Sequence, residues 1–145
     1  MRKILILFLT IFLVSCAPSF AQKGDATAIL EDLLCHFQIR EGILYSDRTD
    51  AEYPLSDALL ARMFDDDGDM ADFAYVTSVS VYFSRHFSER EILVLQISDL
   101  SHQTILKQLL QKRARKKENA VVFTNGMDLY LICTDRNEEI IRYLK

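Results

Sequence analysis

Leu13-Val14-Ser15-Cys16 runs apolar, apolar, small, cysteine, and follows Arg2-Lys3 and an apolar stretch from Ile4 to Val14. This is the order a lipoprotein-specific peptidase reads, with the Cys16 sulfur taking a thioether-linked diacylglycerol. The apolar stretch has 11 residues. As a helix it measures about 16 Å, roughly half a hydrocarbon core, which suits transient insertion and cleavage rather than a stable span. Two acyl chains, at about 0.8 kcal/mol per buried CH₂, hold a protein durably at a membrane. Lipid anchoring on the outer side of a bacterial membrane is therefore expected, and Ala17 leaves open which membrane. The alternative is cleavage after Ala21, at the small-x-small site Ser19-Phe20-Ala21, which would give a soluble secreted protein.

Other reactive residue types lack the spacing their chemistry needs. The run Asp65-Asp66-Asp67-Gly68-Asp69 has the oxygens and the glycine of a calcium loop. With Gly68 at loop position 6, however, Met63 falls at position 1 and Ala74 at position 12, where carboxylates are required, so a solvated turn is expected. His36, His86 and His102 are far apart, and none belongs to a metal-binding motif. Cys35 and His36 are neighbours on a helix, where adjacent side chains diverge by about 100°. There is no nucleophile elbow, phosphate loop or dinucleotide fingerprint. No catalytic residue, metal or cofactor is predicted.

Two surfaces could bind. The alternation of Ser78, Ser80, Tyr82 and Ser84 with Val79, Val81 and Phe83 gives a strand with a polar face, read as exposed. Lys112, Arg113, Arg115, Lys116 and Lys117 form the densest basic patch. Cations there oppose the negative carbonyl end of a helix, which is reason enough for them. They could also meet anionic head groups, a wall polymer or a partner's acidic face. Arg113 falls near the inner face set by Leu106, Leu109 and Leu110, where it could pair with a strand carboxylate.

The elements that must position these residues follow from periodicity. Loss of residues 1–15 leaves 130, enough for one domain, and with Arg2 and Lys3 gone the formal charge moves from -4 to -6. Such an acidic chain disfavours nucleic acid as a ligand. Residues 16–26 are expected to tether a single domain over 27–145. Ile29, Leu30, Leu33, Leu34 and Phe37 give a helix from about Ala26 to Arg40, stopped by Gly42, and Tyr45 to Pro54 is predicted to be loop. A second helix buries Leu55, Leu59, Leu60, Met63 and Phe64. After Phe73 the period shortens to 2, giving the serine-bearing strand and then an almost wholly apolar strand, Glu91 to Ile97. A helix to about Lys117 follows. Ala120 to Thr124 and Met127 to Thr134 form a hairpin joined by Asn125-Gly126, predicted as type I′. A last helix covers Glu138 to Leu144. The order α-α-β-β-α-β-β-α implies an α+β fold, with an antiparallel sheet of about four strands and helices packed on one face. Cys35 and Cys133, one in a helix and one in a strand, are expected to be buried thiols rather than a bridge.

The strand Glu91-Ile92-Leu93-Val94-Leu95-Gln96-Ile97, the helix ending at Arg113 and its basic neighbours, Ala120-Val121-Val122-Phe123, and Gly126 through Cys133 resemble the DUF4358 family of small exported bacterial proteins, commonly lipoproteins. The resemblance covers roughly Asp69 to Lys145 and implies no activity, cofactor or catalytic residue. Two function classes fit these observations. The favoured one is a non-enzymatic binding or accessory module held at the membrane, with an envelope protein or wall polymer as partner. The alternative is an envelope hydrolase or transferase whose site is dispersed in sequence.

Overall fold

A computed structural model describes residues 24–64, 70–85 and 90–145. Cys16, the signal segment, the acidic run 65–69 and His86 lie outside them. The elements are α1 (Ala26–His36), β1 (Gly42–Ser46), α2 (Asp57–Phe64), β2 (Val76–Ser84), β3 (Glu91–Ile97), α3 (Gln103–Ala114), β4 (Val121–Asn125), β5 (Asp128–Cys133) and α4 (Asn137–Leu144), with short 3₁₀ turns before β2 and α3. The fold is α+β, with one antiparallel sheet of five strands in the order β1-β2-β3-β5-β4.

Helices cover both faces of the sheet, not one. Val79, Val81, Leu93, Leu95, Leu129 and Leu131 pack against α2 and α3. Tyr82, Ile92, Val94, Tyr130 and Ile132 pack against α1 and α4. The reason lies in β3 and β5, where consecutive residues are apolar: successive side chains point to opposite faces, so each strand needs cover on both sides. From Glu91 to Leu95 every residue of β3 is buried. The serine face of β2 is buried with it. Ser78, Ser80 and Tyr82 lie beneath α1, and only Ser84 is partly accessible, so the exposed strand expected from the alternation does not exist.

The fifth strand is β1, in the stretch predicted as helix stop and loop. Helix α1 ends earlier, at His36, without glycine. Gln38 takes the left-handed conformation (φ 53°), its N–H donates to Cys35 O at 3.1 Å, and the Ile39 N–H donates to Leu34 O at 2.9 Å. This is a Schellman cap with a non-glycine residue in the glycine position. Gly42 instead opens β1, where a Cβ would overlap the Tyr82 ring. The hairpin is shifted by one residue: Asn125 pairs with Asp128, leaving Gly126 and Met127 as the central pair. Positive φ at Gly126 alone (59°) is what type II′ needs, whereas type I′ needs it at both positions.

The fold also starts inside the predicted tether. Asp25 caps α1 by accepting from Ala28 N–H at 2.9 Å, Gly24 O accepts from Gln96 Nε2 at 2.9 Å, and Ala26 is fully buried. Cys133 is a buried thiol on the α3 face, its Sγ 3.2 Å from Glu118 O. Cys35, on α1 across the sheet, is only partly buried and is not a free thiol, so the expected buried thiol holds for Cys133 alone and no bridge joins the two.

Candidate functional site

Of the basic residues singled out in sequence, two are committed to the interior. Arg113 grips Glu91 with two parallel hydrogen bonds, Nε to Oε1 at 2.6 Å and Nη2 to Oε2 at 2.7 Å. Lys117 Nζ lies 2.9 Å from the same carboxylate. The Glu91 side chain is 0% exposed, against 13% for Arg113 and 17% for Lys117. Arg113 also donates from Nη1 to Met63 O, satisfying a carbonyl at the end of α2. Its guanidinium stands 5.9 Å from the ring centres of both Phe64 and Phe83. The group therefore joins α2, α3 and β3. Each charge faces an opposite one, and among the described residues none of the three lines any of the clefts set out below, which makes this a structural bolt.

The serines belong to a second internal network, under the start of α1. Ser78 Oγ accepts from Ala26 N–H at 3.0 Å, and Thr27 Oγ1 lies 2.5 Å from Ser46 Oγ and 3.3 Å from Ser80 Oγ. Asp47 accepts from Val79 N–H at 2.8 Å. Arg48 pairs with Asp25 at 2.7 and 2.8 Å, and this hydrogen bond, more than any other cause, holds the Asp25 carboxyl below its ordinary pKa. Small polar side chains let the backbone of the first turn of α1 approach the sheet. Among the described residues no buried side-chain polar atom lacks a partner. Among the described residues no histidine joins the network, and Ser78 Oγ donates to Asp47 Oδ1 at 3.4 Å.

Shallow clefts border this network beside Asp25, Asp47 and Ser78 and beside Thr27 and Ser46, and another lies at the end of the sheet where α1 runs into β1. This last cleft, of about 530 Å³, is lined by the apolar Phe37 and Ile39 with Tyr82, by Arg40, Arg90 and Arg136, and by Glu41, Ser84 and Asp135. The Tyr82 hydroxyl donates to Arg40 O at 3.0 Å and so fixes the loop. Burial raises the Tyr82 pKa, with the Glu41 charge adding and Arg90 opposing. Glu41 has φ 70°, a left-handed backbone next to the cleft, held by Arg85 N–H donating to Glu41 O at 2.9 Å.

The cations differ in how they are occupied. Arg136 sits over the Phe37 ring at 4.8 Å and pairs with Glu139 at 2.6 Å, and Arg90 pairs with Asp135 at 3.0 Å. Side-chain exposures of 53% and 64% place the Arg90–Asp135 pair in solvent, where such contacts are weak and exchangeable. Among the described residues Arg40 has no carboxylate partner. Sequence reasoning missed this site because its residues come from four separate segments. The one local signal was a cluster of charges at strand and helix ends.

Of the expected binding residues, Arg115 and Lys116 stay exposed at the end of α3 and Ser84 edges the cleft, while Ser78, Ser80, Tyr82, Arg113 and Lys117 are used internally. Among the described residues no group of three His, Cys, Asp or Glu could hold a metal, and no helix is long and apolar enough to cross a membrane. No known family model, curated protein or solved structure matches the chain.

Proposed function

We propose that this chain is an exported binding module, anchored through Cys16 on the outer side of a bacterial membrane, and that its cleft takes a small anionic group, a carboxylate or a phosphate. The cleft carries this reading: Arg40, Arg90 and Arg136 line it together with the apolar Phe37 and Ile39, and Arg40 has no carboxylate partner among the described residues. A concave site of this volume with apolar lining residues and a few polar groups is the usual form of a ligand site. Guanidinium forks match the geometry of carboxylate and phosphate oxygens. The weak surface pairs of Arg90 and Arg136 can be exchanged for ligand oxygens at little cost. A wall polymer or envelope protein presenting such a group is the partner class.

The test uses the full chain in detergent, titrated with succinate and with inorganic phosphate while the unfolding temperature is followed. A saturable rise in the wild type that is absent in Arg40→Ala supports the reading; equal or unsaturable responses refute the ligand class. Anchoring is read separately, by palmitate labelling of cells expressing the wild type and Cys16→Ser. Label lost in the variant supports the lipid, and a wild type without label refutes it.

A further inference from the structure

The two edges of the sheet are treated differently. At the Ser46 end of β1 the chain covers its own edge: Ser46 N–H donates to Tyr53 O at 3.1 Å, Leu55 N–H donates to Ser46 O at 2.8 Å, and Ser46 forms a parallel bridge with Pro54. At β4 nothing among the described residues does this. The strand Val121-Val122-Phe123-Thr124-Asn125 has no proline and no charge, and its register against β5 runs without a bulge. Among the described residues it thus carries no charge, proline or bulge of the kind by which natural edges avoid pairing. Asn125 and Asp128 close the two-residue hairpin as a hydrogen-bonded pair. Alternation then turns the N–H and C=O of Val121 and Phe123 toward β5, and those of Val122 and Thr124 outward.

A row of two glutamines and two cations borders this edge. Gln103, Lys107, Gln111 and Arg115 recur every four residues along one line of α3 and its cap. Gln103 Nε2 donates to Gly126 O at 2.8 Å at the hairpin, and Arg115 lines a groove with Ala120 and Val122 at the other end of β4. The row therefore runs the length of the strand. Lys107 and Arg115, with Lys112 beside Arg115, have no carboxylate partner among the described residues. On the opposite face the edge is apolar, with Val121 exposed and Phe123 stacked on Tyr130 at 4.6 Å.

We infer that β4 is a docking edge for an extended segment of another protein in which acidic and apolar residues alternate. The segment adds a sixth strand. Its backbone pairs with the outward groups of Val122 and Thr124, its carboxylates face Lys107 and Arg115, and its apolar side chains lie against Val121 and Phe123. Charge decides against a second copy of this chain as occupant. Two copies paired antiparallel would set one α3 row beside the other, cation against cation. The edge and the cleft are separate sites, so either can fail without the other.

The test uses the full chain in detergent and a fluorescein-labelled peptide of roughly eight residues alternating Glu and Val, long enough to span a typical strand. Saturable binding is expected, with slowed amide exchange at Val122 and Thr124. The double charge reversal Lys107→Glu with Arg115→Glu should weaken binding about tenfold or more. Val122→Pro removes an outward N–H without breaking a ladder bond and should abolish binding; if it fails to fold, the charge reversal alone decides. Absence of binding, equal binding of a Lys–Val peptide, or protection confined to other strands overturns the inference. So does concentration-dependent dimerisation that protects Val122 and Thr124 without peptide.

Discussion

Glu91 is the residue on which the interior depends most. A carboxylate with no exposure survives in the sheet only because Arg113 and Lys117 neutralise it. Glu91→Ala leaves two partly buried cations without a counter-charge and should cost about 3–5 kcal/mol in urea denaturation, whereas exposed charge changes cost far less. The second residue-scale prediction concerns acid. The Arg48 hydrogen bond lowers the folded pKa of Asp25, so folding favours the ionised form. Its contribution is complete above the unfolded value, near 4, and lost as pH falls toward the folded one. The unfolding temperature of the wild type should therefore converge on that of Asp25→Asn between about pH 5 and pH 2. The possible pairing of Arg113 was legible because an arginine on the apolar side of a helix needs a carboxylate. That Glu91 was the carboxylate was not, since a charge at the start of an apolar strand looks like a strand end.

At the scale of elements, periodicity located all four helices and four of the five strands, with β3 matching residue for residue. It failed where local and tertiary preferences compete. Helix α1 stops at a cap that uses Gln38 in place of glycine, because the Leu34–Ile39 closure supplies what the residue's own preference does not. Strand β1 has only five residues and becomes a strand by pairing with β2. Gly42, read as a helix stop, is needed for space. Gly42→Ala should force the Tyr82 ring from its buried position and cost about 1–3 kcal/mol, with the loss of the Tyr82–Arg40 hydrogen bond visible as a downfield or upfield shift of the tyrosine ring resonances. The serine face shows the reverse failure. Alternation says which residues share a face but not whether that face meets water or a helix.

For the molecule as a whole, two cores share one sheet, so neither layer of helices can leave without exposing it. Ile140, fully buried, is where α4 enters the second core. Ile140→Ala should lower stability by about 2–5 kcal/mol, in a single transition seen alike by far-ultraviolet circular dichroism and tyrosine fluorescence. Two separated transitions would show that the α1–α4 layer unfolds by itself. The amino-acid sequence alone determined the α+β class, the order of the main elements, the acidic balance and the candidate acylation motif at Cys16, because each is written in composition or in short-range spacing. The tertiary structure decided the rest: that helices cover both faces, that Ser78, Ser80 and Tyr82 are interior, that Arg113 and Lys117 serve Glu91, and that Arg40, Arg90 and Arg136 meet around one cleft. These depend on which strand lies beside which, and pairing between distant segments is set by the burial of both sheet faces together rather than by any one stretch of chain.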